Sequence, residues 1–396
     1  MRDLFSFFIC FALSHALAHG AFTGTSGGSE AINLSQPYQK VQYIIAIDGF
    51  YPGEKTPSRY DEAPILGEVR LFLGEDIPDG WLPCDGRKLP INQHMALYSL
   101  LDHSYGGSGH TNFRIPDLRG RVPVSVGPDL PLGTNVGGEP APATADQLPP
   151  HSHATEGVPT ETAGLGAPIS NQMPGLALNI MIITGQRGGG AIYEEFGDIF
   201  IFAGINLESR FVDLLPLDGA ALKKRDYDSL YSRIGDIYDT DTDNDTFRIP
   251  DLRHRTLTHY GTREALTDRD VGESFGTNAL ILSEAQLPPH VHSFGAGVTE
   301  ETGNAQPIAT WQDTLALAFY VYTIDNPYDS TVAGEIRIKA IPADKLLDDE
   351  YYYLPLNGQI KSTLDFPELY PVIGKRYVGS AEDDTFQLPN FIGQLP

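Results

Sequence analysis

Residues 67–72 read "GEVRLF", residues 197–202 "GDIFIF" and residues 334–339 "GEIRIK". Each string leads into a Leu-Pro-x-[Asp/Asn]-Gly turn, at 82–86, 215–219 and 354–358. Counted from each turn glycine, a leucine recurs at +11 (Leu97, Leu230, Leu369) and tyrosines at +12 and +19 (Tyr98, Tyr105; Tyr231, Tyr238; Tyr370, Tyr377). Position +15 is apolar in all three: Leu101, Ile234, Ile373. Spacings of four put +11, +15 and +19 along one side of a short helix. Asn92 and Asp226 stand where an N-cap is expected. Each block then reaches Phe-x-[Ile/Leu]-Pro-[Asp/Asn], at 113–117, 247–251 and 386–390. Phe113, Phe247 and Phe386 are therefore expected at equivalent buried places, beside Leu97, Leu230 and Leu369.

A second element recurs as "INLSQPYQKVQYIIAI" (32–47), "ISNQMPGLALNIMIIT" (169–184) and "IATWQDTLALAFYVYT" (308–323). Its β-branched and alternating content predicts a strand. The chain thus divides into 1–18, an export signal; 19–66, a first strand and linker; and repeats at 67–186, 187–325 and 326–396, the last truncated. The order is close to a circular permutation. The first strand is expected beside the third repeat, closing an internal pseudo-trimer, or else it is the remnant of a fourth copy. The rival assembly is a homotrimer of whole chains. The fold class expected is α+β and strand-rich.

Two further strings match 139 positions apart: "QLPPHSH" (147–153) and "QLPPHVH" (286–292). Histidines at i and i+2 of an extended chain share a face. His151, His153, His290 and His292 are the candidate metal ligands. Neutral imidazoles bind zinc and iron, and two pairs complete a four-coordinate site. Three whole chains would instead offer six ligands per string. The plainer reading is a rigid Pro-Pro turn carrying exposed histidines.

The formal charge of −25 over 396 residues repels phosphate backbones, so no nucleic-acid partner is expected. Residues 4–13, "LFSFFICFAL", precede "ALA" at 16–18, the pattern of a secretory signal, which implies a secreted or cell-surface protein. No later apolar run approaches the roughly 20 residues of a membrane span. Cys10 lies in that signal, which leaves Cys84 alone, expected as a small buried hydrophobe.

The stretch 67–124 resembles the phage tail collar domain, found in short tail fibres and in bacterial proteins labelled microcystin-dependent. Its most specific marks are Gly-Trp-x-x-Cys-Asp-Gly at 80–86 and Pro-Asp-Leu-Arg-Gly-Arg at 116–121. "QLPPHSH" is similar to the Leu-Pro-x-His-x-His that follows the collar there. Copy two keeps Pro250, Asp251, Leu252 and Arg253 but has His254 for Gly120; copy three keeps little beyond Pro389, Asn390 and Phe391. The resemblance implies threefold assembly, histidine pairs converging on one metal ion, and a binding or structural protein rather than an enzyme. An export signal departs from the tail-fibre pattern.

Residues common to all three copies are Gly, Pro, Leu, Tyr and Phe, which set turns and fill cores. No serine, histidine, cysteine or glutamate of catalytic arrangement is shared. "DTDTDND" (239–245) opens like a calcium loop, but Asn244 and Pro250 stand where an EF-hand needs Gly and Glu. "GQRGGGA" (185–191) lacks the Lys-Ser/Thr of a phosphate loop and reads as a linker. The reading is an exported, non-enzymatic binding or structural protein with an unknown surface ligand, for which carbohydrate is the candidate class. The alternatives are a secreted carbohydrate-active enzyme on a repeat scaffold, or a phage tail-fibre component.

Overall fold

The computed structural model describes residues 36, 40–52, 64–138, 143–155, 158–160, 162–184, 196–205, 214–239, 245–261, 269–277, 279–288, 290–294, 297–306, 308, 310, 312–325, 332–341, 352–377, 384–392 and 394–396. The expected export signal, the glycine-rich 185–191 and most of the acidic 239–245 lie outside these residues. The chain forms two compact units. The larger spans 33–140, 170–280 and 309–396; the smaller is built from 141–169 and 281–308.

In the larger unit the three opening strings become strands Glu68–Phe72, Ile199–Phe202 and Glu335–Lys339. They pair end to start in a closed antiparallel triangle. Phe72 lies opposite Glu335, Lys339 opposite Asp198, and Phe202 opposite Glu68. The following residue repeats each link: the N–H groups of Leu73, Ala340 and Ala203 donate to Gly334, Gly197 and Gly67 at 2.9, 2.8 and 3.0 Å. Three repeats of one chain therefore close a ring with pseudo-threefold symmetry.

Alternation along each strand gives the ring two faces. Val69, Leu71, Ile199, Ile201, Ile336 and Ile338 join the main apolar core. The other face carries buried charge. Arg70 donates two bonds to Glu68 (2.7 and 3.0 Å) and one to Glu335 (2.8 Å). Arg337 pairs with Glu335 at 2.8 Å, and Lys339 with Asp198 at 2.7 Å. Three acids and three bases balance. Burial works against the Arg70 charge, but the Glu335 and Glu68 carboxylates outweigh it and hold its pKa above the ordinary value. The guanidinium also lies 4.8 Å from the Trp81 ring centroid, a cation–π contact that gives this motif tryptophan a use.

Outside the ring lie three lead strands, Gln42–Ala46, Gly175–Ile183 and Thr314–Tyr322. Each runs antiparallel to the ring strand that follows it. Its other edge takes the short strand entering the turn: Trp81–Pro83, Leu214–Pro216 or Tyr353–Pro355. The front halves of the second and third lead strands also run parallel to Val122–Ser125 and Thr256–His259 of the preceding repeat. These two strands serve two repeats each, which is why they read as continuous apolar runs and are buried almost throughout.

Within a repeat the turn and the Phe-x-x-Pro motif meet backbone to backbone. Asp85 pairs with Asp117, Asp218 with Asp251, and Asn357 with Asn390. Gly86 needs its glycine twice over: φ is +70°, and a Cβ there would sit 2.8 Å from the Asp117 Cβ. The helices Met95–Leu101, Asp228–Ile234 and Leu369–Ile373 bury Leu97, Leu230 and Leu369 beside Phe113, Phe247 and Phe386, all at most 1% exposed. The adjoining tyrosines tilt over those rings at 5.3–5.7 Å. The +19 tyrosines seal the repeats to one another: Tyr105 O–H donates to Ala203 C=O (2.7 Å) and Tyr238 to Ala340 (2.9 Å). At the third seam the Arg376 guanidinium donates to Leu73 C=O at 2.8 Å. Cys84 is buried and unpaired, as its solitary position implies, and burial pushes its thiol pKa up.

Two expectations are corrected. Over its described residues the first strand does not complete the third repeat: Gln42–Ala46 spends both edges on the first, against Glu68–Phe72 and Trp81–Pro83, while 32–35 and 37–39 lie outside the described residues. Pairing with a near neighbour in sequence closes a shorter loop, which costs less entropy. Its contact with the chain end is the Tyr43 hydroxyl on the Pro396 carbonyl (3.4 Å). Each repeat is thus a lead strand followed by a collar-like block, and the permutation is only apparent. Asn92 and Asp226 are not N-caps; the caps are His94 and Tyr227. Both expected residues lie in the turn before the helix, where Gln93 N–H bonds Pro90 and Asp226 N–H bonds Lys223.

Phe247→Ala is expected to cost about 3–5 kcal/mol in denaturant unfolding, from lost burial and the cavity left behind. Asp198→Ala, which strands Lys339 out of solvent, is expected to cost about 3–5 kcal/mol, more than removing the same carboxylate from the surface. His259 is 2% exposed, with its ring 4.8 Å from Tyr260 and 6.0 Å from Phe319. Burial lowers its pKa from 6.5 to about 4. Above pH 6.5 the ring is neutral folded or unfolded. As pH falls toward 4 the unfolded chain takes the proton first, so stability is lost in that window, by roughly 3 kcal/mol in full. A Tm-versus-pH profile of His259→Phe should be flatter than wild type there.

Candidate metal centre

The smaller unit consists of two halves built alike. Each opens with a 3-10 turn, Ala145–Gln147 or Glu284–Gln286, closed by a capping box from Thr144 and Gln147 or from Ser283 and Gln286. The chain then runs extended through the histidines. His151 and Ala163 exchange backbone hydrogen bonds at 2.9 Å, as do His290 and Thr302 at 2.9 and 3.0 Å. His153 and His292 accept from the Thr160 and Thr299 N–H groups. The threonine hydroxyls in turn accept from the His153 and His292 N–H groups, at 3.1 and 2.9 Å. Held extended, each pair presents both rings to one side, with centroids 5.5 Å apart for His151–His153 and 5.3 Å for His290–His292.

The halves lock across one another. Glu300 N–H donates to Ala154 C=O at 2.9 Å, and the Thr302 hydroxyl to Ser152 C=O at 3.2 Å. This brings the two histidine strings together. His153 lies 4.8 Å from His290 and 4.6 Å from His292, centroid to centroid, and His151 lies 5.4 Å from His290. One potential ligand nitrogen from each of the four falls within 4.8 Å of the others. Four ligands 2.0–2.1 Å from a tetrahedral ion stand about 3.4 Å apart, so modest side-chain rotation closes this cage. Each string meets the other string of its own chain.

The tautomers follow from what the rings touch. A carbonyl only accepts, so the nitrogen facing it carries the proton. His151 Nδ1–H donates to Pro149 C=O (2.8 Å), His290 Nδ1–H to Pro288 C=O (2.9 Å) and His153 Nδ1–H to Glu300 C=O (3.2 Å). That leaves Nε2 of these three with a lone pair, the form that coordinates metal. His153 Nε2 is buried with no hydrogen-bond partner, an orphan that a metal ion would satisfy. Burial, assisted by the neighbouring imidazoles, holds His153 below the ordinary imidazole pKa, which favours the neutral ring. His151 and His153 are buried, while His290 and His292 are half-buried and leave the cage a side toward solvent. The Pro-Pro pair also acquires a role, since Pro149 and Pro288 supply the orienting carbonyls.

All four candidate ligands meet, and the rings are not the freely exposed histidines of a plain turn. The supporting residues Thr160, Thr299, Glu300 and Thr302 were not singled out from the sequence. Their signal was present in "TETAG" (160–164) and "TEETG" (299–303), again 139 apart.

The model of the phage tail collar domain matches residues 67–123, 197–257 and 334–396. No curated protein and no solved structure matches the chain.

Proposed function

We propose, for a chain whose three repeats are phage tail collar domains, that the protein is an exported, non-enzymatic structural and binding module in which one polypeptide takes the place of a threefold assembly. The observation that carries this reading is the closed ring of Glu68–Phe72, Ile199–Phe202 and Glu335–Lys339, whose three links all lie within one chain. The apolar segment and "ALA" at the start of the sequence support export, to the outside or the cell surface. Among the described residues no helix is long and apolar enough to cross a membrane.

In this reading His151, His153, His290 and His292 hold one divalent transition-metal ion. Four neutral imidazoles without an acidic ligand suit zinc in a closed structural site; iron fits the same nitrogen donors. The ion would pin the two chain segments of the smaller unit to each other and satisfy His153 Nε2. Its role is a cross-link, equivalent to a disulfide in a chain that has only Cys84 to offer after the export signal. The surface partner is of the carbohydrate class, bound without turnover.

Metal-stripped protein titrated with zinc should bind one ion per chain, with native mass spectrometry showing a single polypeptide. Zinc at a hundred times Kd should stabilise by about 2.7 kcal/mol. His153→Ala should weaken binding by at least about tenfold, the lower bound seen even for orienting residues around a metal. A native mass of three chains would sink the single-chain ring, and wild-type zinc affinity in His153→Ala would sink the metal site.

A further inference from the structure

The repeats are close enough in structure for one to serve as the control for another. The backbone registers are equivalent: Val122 pairs with Gly175 in the first repeat as Thr256 pairs with Thr314 in the second. The residues just before them, Arg121 and Arg255, are therefore counterparts, as are Pro174 and Asp313. Val122 N–H donates to Pro174 C=O and Thr256 N–H to Asp313 C=O, both at 3.1 Å. In the second repeat Arg255 is fully engaged: Nε donates to the Asp313 carboxylate at 2.9 Å and Nη1 to Asp251 C=O at 2.7 Å. In the first repeat proline replaces that carboxylate. The Arg121 guanidinium makes no ion pair and no hydrogen bond among the described residues, although its charge helps lower the Asp117 carboxyl pKa.

Arg121 lines a cavity of about 210 Å³ together with Ser104, Tyr105, Asp117, Asn135 and Leu176, and with Arg114, whose guanidinium donates to Gly86 C=O at 2.6 Å. This falls below the roughly 300 Å³ at which drug-sized pockets begin, so a single sugar ring or an amino acid is the right scale. The second repeat has Ile237 for Ser104 and Ser274 for Asn135. The third has Gln394 for Arg121 and Asn390 for Asp117. The combination of free guanidinium, hydroxyl and amide belongs to the first repeat alone.

We infer that this cavity of the first repeat binds a small monocarboxylate bearing hydroxyl groups, of uronic acid type, whose carboxylate takes the place that Asp313 fills in the second repeat. A guanidinium matches a carboxylate through two parallel hydrogen bonds. Ser104 and Asn135 each donate and accept, which suits hydroxyls. Tyr105, with its O–H committed to Ala203, offers ring surface, and Leu176 an apolar wall. Asp117 keeps its charge through the Arg119 fork (2.9 and 2.8 Å), and a second negative charge on the ligand would be repelled by it. That disfavours a phosphate dianion. In a chain of net charge −25, a cavity lined by Arg121 without an ion pair, and by Arg114, against the single acid Asp117 is a local exception that would draw an acid in. The site goes beyond the structural reading above and does not depend on the metal.

Calorimetric titration of the full chain with glucuronate, glucose and inorganic phosphate tests it. Glucuronate should bind with one-to-one stoichiometry, and glucose and phosphate at least about tenfold more weakly. Arg121→Gln should lower glucuronate affinity by at least about tenfold. Pro174→Asp, which rebuilds the ion pair of the second repeat, should do the same while leaving Tm and zinc stoichiometry unchanged. The Pro174 variant keeps the test decisive should the arginine variant fold poorly. Absence of glucuronate binding at millimolar concentration, equal binding of phosphate, or wild-type affinity in the folded Pro174→Asp protein would each overturn the inference.

Discussion

Each ring strand carries an acid at its first position, or just before it in the case of Asp198, into the place where three strands meet, and every one of those acids must find a base there. Removing an ion from water costs several kcal/mol, recovered only when geometry and hydrogen bonds are good. The bases are unevenly distributed. The first and third repeats bring Arg70 and Arg337; the second has Phe200 at that place, and its Asp198 is met by Lys339 of the third. Neutrality is therefore a property of the ring and of no single repeat. A one-residue slip in any ring strand would turn its apolar set toward the charges and its charges into the core. The network stabilises little relative to a well-packed apolar alternative, but it fixes which strand ends meet, and so the register of everything hung on them.

Fusion into one chain also lifts a symmetry constraint. In a trimer of identical chains a substitution appears three times around the axis. Here Lys339 occupies one position in the ring, Arg376 seals one seam where tyrosine seals the other two, and Pro174 opposes Arg121 in the first repeat alone. What stays common is what every repeat needs locally: the turn glycines, the buried phenylalanines and leucines, and the helix tyrosines. The histidine strings stand between these cases, present twice and brought together.

Residues that act within their own repeat were legible in the sequence. Spacing placed Leu97 and Phe113 in a core, and the same spacing found their counterparts. Extended-chain geometry put His151 and His153 on one side. Residues whose meaning depends on a distant partner were not legible. Nothing local distinguishes Glu68 and Arg70 from an ordinary strand pair, because the second carboxylate on Arg70, that of Glu335, arrives from hundreds of residues away. The first strand was misplaced because a tally of repeat ends does not say which edges are already taken. Asn92 and Asp226 have a capping side chain, but the turn before each helix uses them first. The tautomers of the histidines required carbonyls that only the fold supplies.

The first ring strand takes one of its two ring partners from the last repeat, Phe72 opposite Glu335. A linear array of repeats can settle one neighbour at a time as it leaves the ribosome. This ring cannot, because the arginine of its first strand stays without one of its carboxylates until the third repeat has been made. Contacts so far apart in sequence are slow to form. Loss of the third repeat would accordingly be felt in the first ring strand as much as in the third, because their junction exists only once both have been made.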